Sequence, residues 1–230
     1  MDNINHAQFA NASYALNSSK KKEDRFRQAE ALVPKNYELH EKSNRDVAMF
    51  VNGDKKHAII AHRGSDFKKK RDIGADIKFA LGLQAHSKEY RKRAGMTERM
   101  VKDIPGDFKI DLTGHSYGGA SALHSAIVRP KLRQRLNKIH IYNPATQMPK
   151  QKPKLYRKEK APDVERDLHE KTTVHRTQGD VPSVVGTDYG TVETHDVKDG
   201  RFKSAVMPEL AKPAFQTLDQ LKTHSIENFI

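Results

Sequence analysis

Residues 110–119 read IDLTGHSYGG, which sets Ser116 between glycines at the spacing Gly114-x-Ser116-x-Gly118. An apolar, strand-like run precedes the serine, and a run of small residues with helical character follows it. That context is what a nucleophile elbow requires: a sharp strand-to-helix turn with the serine at its tip and little room for neighbouring side chains. Gly114, Gly118 and Gly119 supply the room. A serine hydroxyl is a weak nucleophile, so the chemistry also needs a base, and the base needs an acid to orient it. Such acyl transfer calls for no metal and no cofactor.

In elbow-bearing folds the acid and then the histidine follow the serine along the chain. The histidines after Ser116 are His124, His140, His169, His175, His195 and His224. His124 falls on the helix behind the elbow and points away from its start, while His140 and His175 fall inside strands. His195 and His224 remain, both in loop or helix-start settings. Among the acids, Asp180 closes the strand-like run TTVHRTQGD at the edge where Ser116 should stand. Asp188, Glu193 and Asp196 are embedded in a glycine-rich loop. Asp180 with His224 is the favoured pair. His195 competes, because Glu193 and Asp196 lie beside it.

These groups need elements to position them. Residues 4–33 read as two helical pieces broken near NSSKK, with Phe26, Ala29, Ala31 and Leu32 offering an apolar side to the second. RDVAMFVNGDKKHAIIAHRG reads as two strands joined at Asn52-Gly53-Asp54, a pair that tolerates positive φ. HAIIAH is apolar almost throughout, as expected of a strand buried on both faces. Residues 72–102 are mainly helical, with interruptions expected at Gly82 and Gly95. FKIDLTG is the next strand, and GGASALHSAIV a helix with Ala120, Leu123, Ala126 and Ile127 along one side. Pro130 should end or bend that helix. KIHIYNP and TTVHRTQGD are further strands, and residues 208–230 read as mostly helical. Residues 145–170 are rich in Pro and Lys and read as a basic surface excursion with one short helix near APDVERDLHEK. Strands alternating with helices imply an α/β fold with a mostly parallel central sheet and helices on both faces. The 230 residues suit a single domain, with residues 1–40 as a helical extension.

The bulk composition narrows the setting. There is no cysteine, so disulfides, thiolate catalysis and cysteine–zinc sites are excluded. No apolar run approaches the roughly 18 residues of a membrane span, and MDNINHAQFANASYAL lacks the features of a secretory signal. The expectation is an intracellular protein, or one carried within a virus particle. Net charge is +13, concentrated in Lys20–Lys22, Lys68–Arg71 and Lys88–Arg93. Such runs favour polyanions, an anionic membrane surface among them. Nothing besides charge supports a nucleic-acid partner, since no RNP-like or zinc-finger motif accompanies it. The sequence is silent on oligomeric state.

From about residue 40 onward the chain resembles the class 3 lipases of the α/β-hydrolase superfamily. HAIIAHRGSDF is similar to that family's strand ending in Arg-Gly-Thr or Arg-Gly-Ser, and LTGHSYGGASALHSA to its Gly-His-Ser-Leu-Gly-Gly-Ala elbow. HRTQGDVPSVV is similar to its Asn-x-x-Asp-x-Val-Pro strand end, and HSIENFI to its late His-x-x-x-x-Tyr segment. The resemblance implies a serine hydrolase acting on carboxylic esters of lipids, with Ser116, Asp180 and His224 as the triad. It also implies an oxyanion hole made by the backbone N–H groups of Ser65 and Tyr117, and a structural, ion-pairing role for Arg63. The chain departs from the pattern at Tyr117 (usually Leu), at His62 (usually aromatic) and at Ile73 (often Trp). The segment that forms an apolar lid in the lipases opens here with the cationic DFKKKRD. A second reading follows from the same charge: a non-catalytic, lipase-like structural protein, such as a virion component binding acidic partners.

Overall fold

The computed structural model describes residues 4–18, 20–64, 88–144, 161–178, 189–196 and 225–230. Among the described residues, a seven-stranded sheet runs in the order β1-β2-β3-β4-β5-β6-β7. Its strands are β1 (Glu38–Leu39), β2 (Val47–Asn52), β3 (His57–His62), β4 (Lys109–His115), β5 (Leu136–Tyr142), β6 (Thr172–Thr177) and β7 (Thr191–His195). β1, β2 and β3 pair antiparallel, and every neighbour from β3 to β7 pairs parallel. The helices are α1 (His6–Ala15), α2 (Lys22–Glu30), α3 (Lys88–Lys102), α4 (Tyr117–Val128), α5 (Pro130–Arg135) and α6 (Ala161–Lys171), with a 3₁₀ turn at Ile226–Phe229. This is the expected α/β-hydrolase-like architecture of a mostly parallel sheet covered by helices.

Strand periodicity sorts the core onto two faces. Val47 and Met49 of β2, Ala58 and Ile60 of β3, Ile110 and Leu112 of β4, and Ile139 and Ile141 of β5 join one cluster with residues of α3, α4 and α6. The alternate residues Ala48, Phe50, Ile59 and Ala61 pack with Phe9 and Ala12 of α1, Leu16 at its C-terminal cap and Ala29 of α2. β3 is buried along its whole length, which explains why its sequence carries no polar alternation.

Several expectations change in detail. The β2–β3 connection places its positive φ at Lys56 (47°), not at Asn52 or Gly53. Asn52 instead ends β2 and accepts a hydrogen bond from the Lys55 N–H at 3.0 Å. α3 runs unbroken through Gly95, where a Cβ would still find open contacts, 3.6 Å from the nearest atom of Arg99. α4 is buried all round from Gly118 to Ile127 rather than along one side, because its small residues let it lie between the sheet and α3. α2 stops at Glu30, leaving Leu32 exposed. Pro130 occupies the first turn of α5, where its missing N–H costs nothing. TVETH, read as part of a loop, is strand β7. The expected break at Gly82, most of the 145–170 excursion and residues 208–224 lie outside the described residues.

Candidate active site

The centre of the site is the junction between β4 and α4. Ser116 sits there with φ 55° and ψ −125°, a conformation that L residues other than glycine rarely adopt. Holding it costs about 1–3 kcal/mol, so the surrounding structure must over-determine it. Its N–H donates to the Tyr142 carbonyl at 2.9 Å, and its own carbonyl accepts from the Ala120 N–H at 3.1 Å. The glycines are explained by contact. A Cβ on Gly114 would stand 2.6 Å from the Gly118 carbonyl, and one on Gly118 would fall on the His62 carbonyl oxygen. The turn closes only because both positions lack side chains.

The same contacts bring the end of β3 against the elbow. The hypothetical Gly118 Cβ lies 2.8 Å from the Arg63 carbonyl carbon and 2.9 Å from the Gly64 nitrogen. Gly64 is equally tight, because its Cβ would meet the Tyr14 hydroxyl and the His115 carbonyl. Tyr117 opens α4, so its N–H lies in the helix's first turn, at the positive end of the helix dipole. Backbone donors presented this way suit an anion.

A buried frame holds the junction. His62 is fully buried and bridges Ser121 Oγ (3.0 Å) and Thr97 Oγ1 (2.8 Å), tying β3 to α4 and α3. Burial, reinforced by the Arg93 charge, keeps its imidazole well below the usual histidine range. Arg93 donates to the Arg63 carbonyl (2.5 Å) and Glu89 (3.1 Å), approaches Asp46 (3.5 Å) and lies over the Tyr117 ring (4.9 Å). Burial pushes Asp46 up. The Lys92 hydrogen bond, with the charges of Arg93, Lys92 and Arg63, more than offsets it, so this carboxylate sits below its usual range. Arg63 is held between Asp46 and the Arg45 carbonyl, the ion-pairing role expected of it. On the other side, Asn143 (φ 40°) clasps β6, its Nδ2 donating to Thr177 Oγ1 and its Oδ1 accepting from the Thr177 N–H.

His62 gives a pH test. Its folded pKa is depressed, so the unfolded chain takes the proton first; the stability it lends is full above about pH 6.5 and is lost as pH falls toward the folded value. The slope is at most about 1.4 kcal/mol per pH unit. Urea unfolding at pH 7.5 and 5.5 is expected to show a steeper loss for wild type than for His62→Gln, which cannot take up that proton. Parallel losses would mean that His62 is not buried as the neutral form.

The sequence matches no family profile and no curated protein. Solved structures do match. A lipase from Rhizopus microsporus var. chinensis aligns over 83% of this chain and 72% of its own, with TM-score 0.51 and 19% identity. The fold is that of the fungal lipases. The Rhizomucor miehei lipase–propeptide complex aligns over 84% of this chain and 67% of its own, with TM-score 0.46 and 16% identity.

Within this lipase fold, Ser116, Tyr117, Gly114 and Gly118 come together at the elbow. Ser65, Asp180 and His224 lie outside the described residues. His195, the competing base, ends strand β7 rather than sitting in a loop. Its ring meets His175 (Nε2 to Nδ1, 3.1 Å) and packs edge-on to Phe229 (5.2 Å).

A polar row that the sequence reading missed crosses the α1-facing side of the sheet. Asp111 Oδ2 is hydrogen-bonded by His57 Nε2 (2.9 Å) and His6 Nε2 (2.8 Å), and Oδ1 by Asn137 Nδ2 (2.8 Å). His6 stacks on His140 at 4.0 Å, and His140 Nδ1 faces His175 Nε2 at 3.1 Å. Burial pushes His140 down to about 4 and His175 to about 3. A signal was present: KIHIY, TTVHRT and TVETH place one histidine on each of three successive strands.

Proposed function

We propose that this chain is a serine hydrolase cleaving carboxylic esters of lipids. The observation that carries the reading is the Ser116 backbone, a strained non-glycine conformation at a strand–helix junction closed by two glycines that admit no side chain. Strain of this kind is kept where it presents a reacting group.

In this mechanism Ser116 Oγ attacks the ester carbonyl carbon while His224 takes the hydroxyl proton. Asp180 holds the His224 ring in the correct tautomer and stabilises the imidazolium. The carbonyl π electrons move onto oxygen, and the N–H groups of Ser65 and Tyr117 bind that oxyanion, a contribution worth about 10²–10³ in rate per donor. The tetrahedral species collapses, and the alcohol leaves with the proton from His224. Water then attacks the acyl-serine, giving its proton to His224, and the carboxylic acid departs as Ser116 recovers the proton. Two features support the placement. Thr177, three residues before Asp180, is clasped to Asn143 beside the elbow. The turn that follows His224 packs on Tyr142, whose carbonyl binds the Ser116 N–H: Ile226 is buried and Phe229 lies 5.0 Å from the Tyr142 ring. Labelling by a fluorophosphonate probe in wild type, and its loss in Ser116→Ala, tests the assignment. Absence of labelling in wild type would favour the non-catalytic scaffold.

The charge supports an anionic lipid surface as the substrate's setting. Lys20–Lys22, Lys88, Arg91 and Lys92 are all exposed, and no helix among the described residues is long and apolar enough to cross a membrane. Binding to phosphatidylserine-containing vesicles is expected to weaken sharply from low to physiological salt, with neutral vesicles binding poorly throughout. Equal, salt-independent binding to both would remove charge from lipid recognition.

A further inference from the structure

We propose that His175, Glu193 and His195 form a binding site for a zinc-class divalent cation. His175 Nδ1, His195 Nε2 and Glu193 Oε2 converge at the solvent-facing end of the polar row, where β6 meets β7. Their separations are 3.1 Å between the two ring nitrogens, 3.2 Å from His175 to the carboxylate oxygen and 3.9 Å from His195 to it. A tetrahedral zinc ion with N and O ligands at about 2.0–2.1 Å holds them roughly 3.3 Å apart. The point equidistant from the three donors lies about 2.0 Å from each and in their plane, so shortening the 3.9 Å edge by a small shift of the half-exposed Glu193 side chain gives the tetrahedral spacing. Two imidazoles and a carboxylate also form a ligand set of suitable softness.

The surroundings fit a ligand role. A ligating histidine commonly engages a partner through its other nitrogen, which fixes the ring. His175 Nε2 does so with His140 Nδ1 at 3.1 Å. Phe229 walls one side of His195 at 5.2 Å. The side chains of His195 and Glu193 are 39% and 51% exposed, so an ion has an entry path and water can supply a fourth ligand. Parallel register makes the site: His175 pairs with Glu193, and Thr177 with His195, so the three donors share one face of two adjacent strands. A bound ion would staple β7 to β6. The site is independent of the hydrolase reading.

The test uses the full chain, stripped with chelator and titrated with zinc chloride alone by calorimetry. One ion per chain is expected, bound in the low micromolar range or tighter. Glu193→Gln and His195→Ala should each weaken binding at least tenfold, and His140→Ala by about 10–100-fold. His40→Ala and His169→Ala, which alter histidines elsewhere, should bind as wild type. Zinc at a hundredfold excess over Kd should raise the melting temperature by roughly 5–10 °C in wild type, and not in Glu193→Gln. Glu193 is half-exposed, so that variant keeps its fold, which circular dichroism verifies. Absence of saturable binding up to millimolar zinc would overturn the site and leave a hydrogen-bonded cluster only. Tight binding unchanged by Glu193→Gln and His195→Ala would overturn it equally.

Discussion

Ser116→Ala is expected to lower hydrolysis of short p-nitrophenyl esters at least about 10³-fold while leaving the protein folded. On the proposed mechanism this removes the nucleophile and leaves only what the oxyanion donors and substrate binding contribute. The structural consequence separates this from a general packing defect. Ser116 is strained at φ 55°, and alanine keeps that strain, so its melting temperature should stay close to wild type. Glycine adopts the same φ freely, and Ser116→Gly is expected to be more stable than Ser116→Ala by about 1 kcal/mol while equally inactive. A serine whose removal abolishes turnover, and whose replacement by glycine stabilises, is held in place for chemistry. Retained hydrolysis in pure Ser116→Ala would take this residue out of the mechanism. Equal stability of the glycine and alanine variants would mean that the elbow is not strained.

The strands nearest the site were legible from their patterns: burial on both faces leaves HAIIAH apolar almost throughout, and KIDLTGH alternates Ile110 and Leu112 with polar residues. The elbow was legible as well, because a serine flanked by glycines between a strand and a helix admits few structures. β7 was not. Thr191, Val192, Glu193, Thr194 and His195 are mostly exposed, and only the ladder to β6 makes them a strand. β1 is two residues long and owes its existence to β2. Gly95 misled for the opposite reason: helix propensity disfavours glycine by about 1 kcal/mol, which fifteen residues of packed helix easily absorb. His62 stood out as a departure from the aromatic that the class 3 lipase pattern has there. That it would bridge Ser121 and Thr97 could not be read, since its partners lie 59 and 35 residues away. The Asp111 hub was least accessible of all, for an isolated aspartate inside an apolar strand gives no hint that residues 6, 57 and 137 converge on it.

That hub carries the second large effect. Asp111→Ala is expected to destabilise the fold by about 3–5 kcal/mol, a large share of the roughly 5–15 kcal/mol that holds a domain together. The carboxylate is 4% exposed and accepts hydrogen bonds from α1, β3 and the start of β5 at once. Removing it leaves the buried His6 and His57 donors without their acceptor, while the exposed Asn137 amide can turn to water. Burial alone would raise the Asp111 pKa, but the hydrogen bonds from His57, His6 and Asn137 outweigh it and hold the group far below the usual carboxylate range. The sign of the pH dependence follows. With the folded pKa depressed, the stability is fully present above the unfolded value of about 4, and is lost as pH falls through the folded one. Asp111→Asn keeps the shape and one acceptor but cannot ionise. Its stability deficit against wild type should therefore be largest at pH 7 and shrink between about pH 4 and pH 3, at up to 1.4 kcal/mol per unit. Urea unfolding of both proteins at pH 7, 4 and 3 measures that gap. A deficit independent of pH would mean that shape, rather than charge, is what Asp111 supplies beneath the elbow strand.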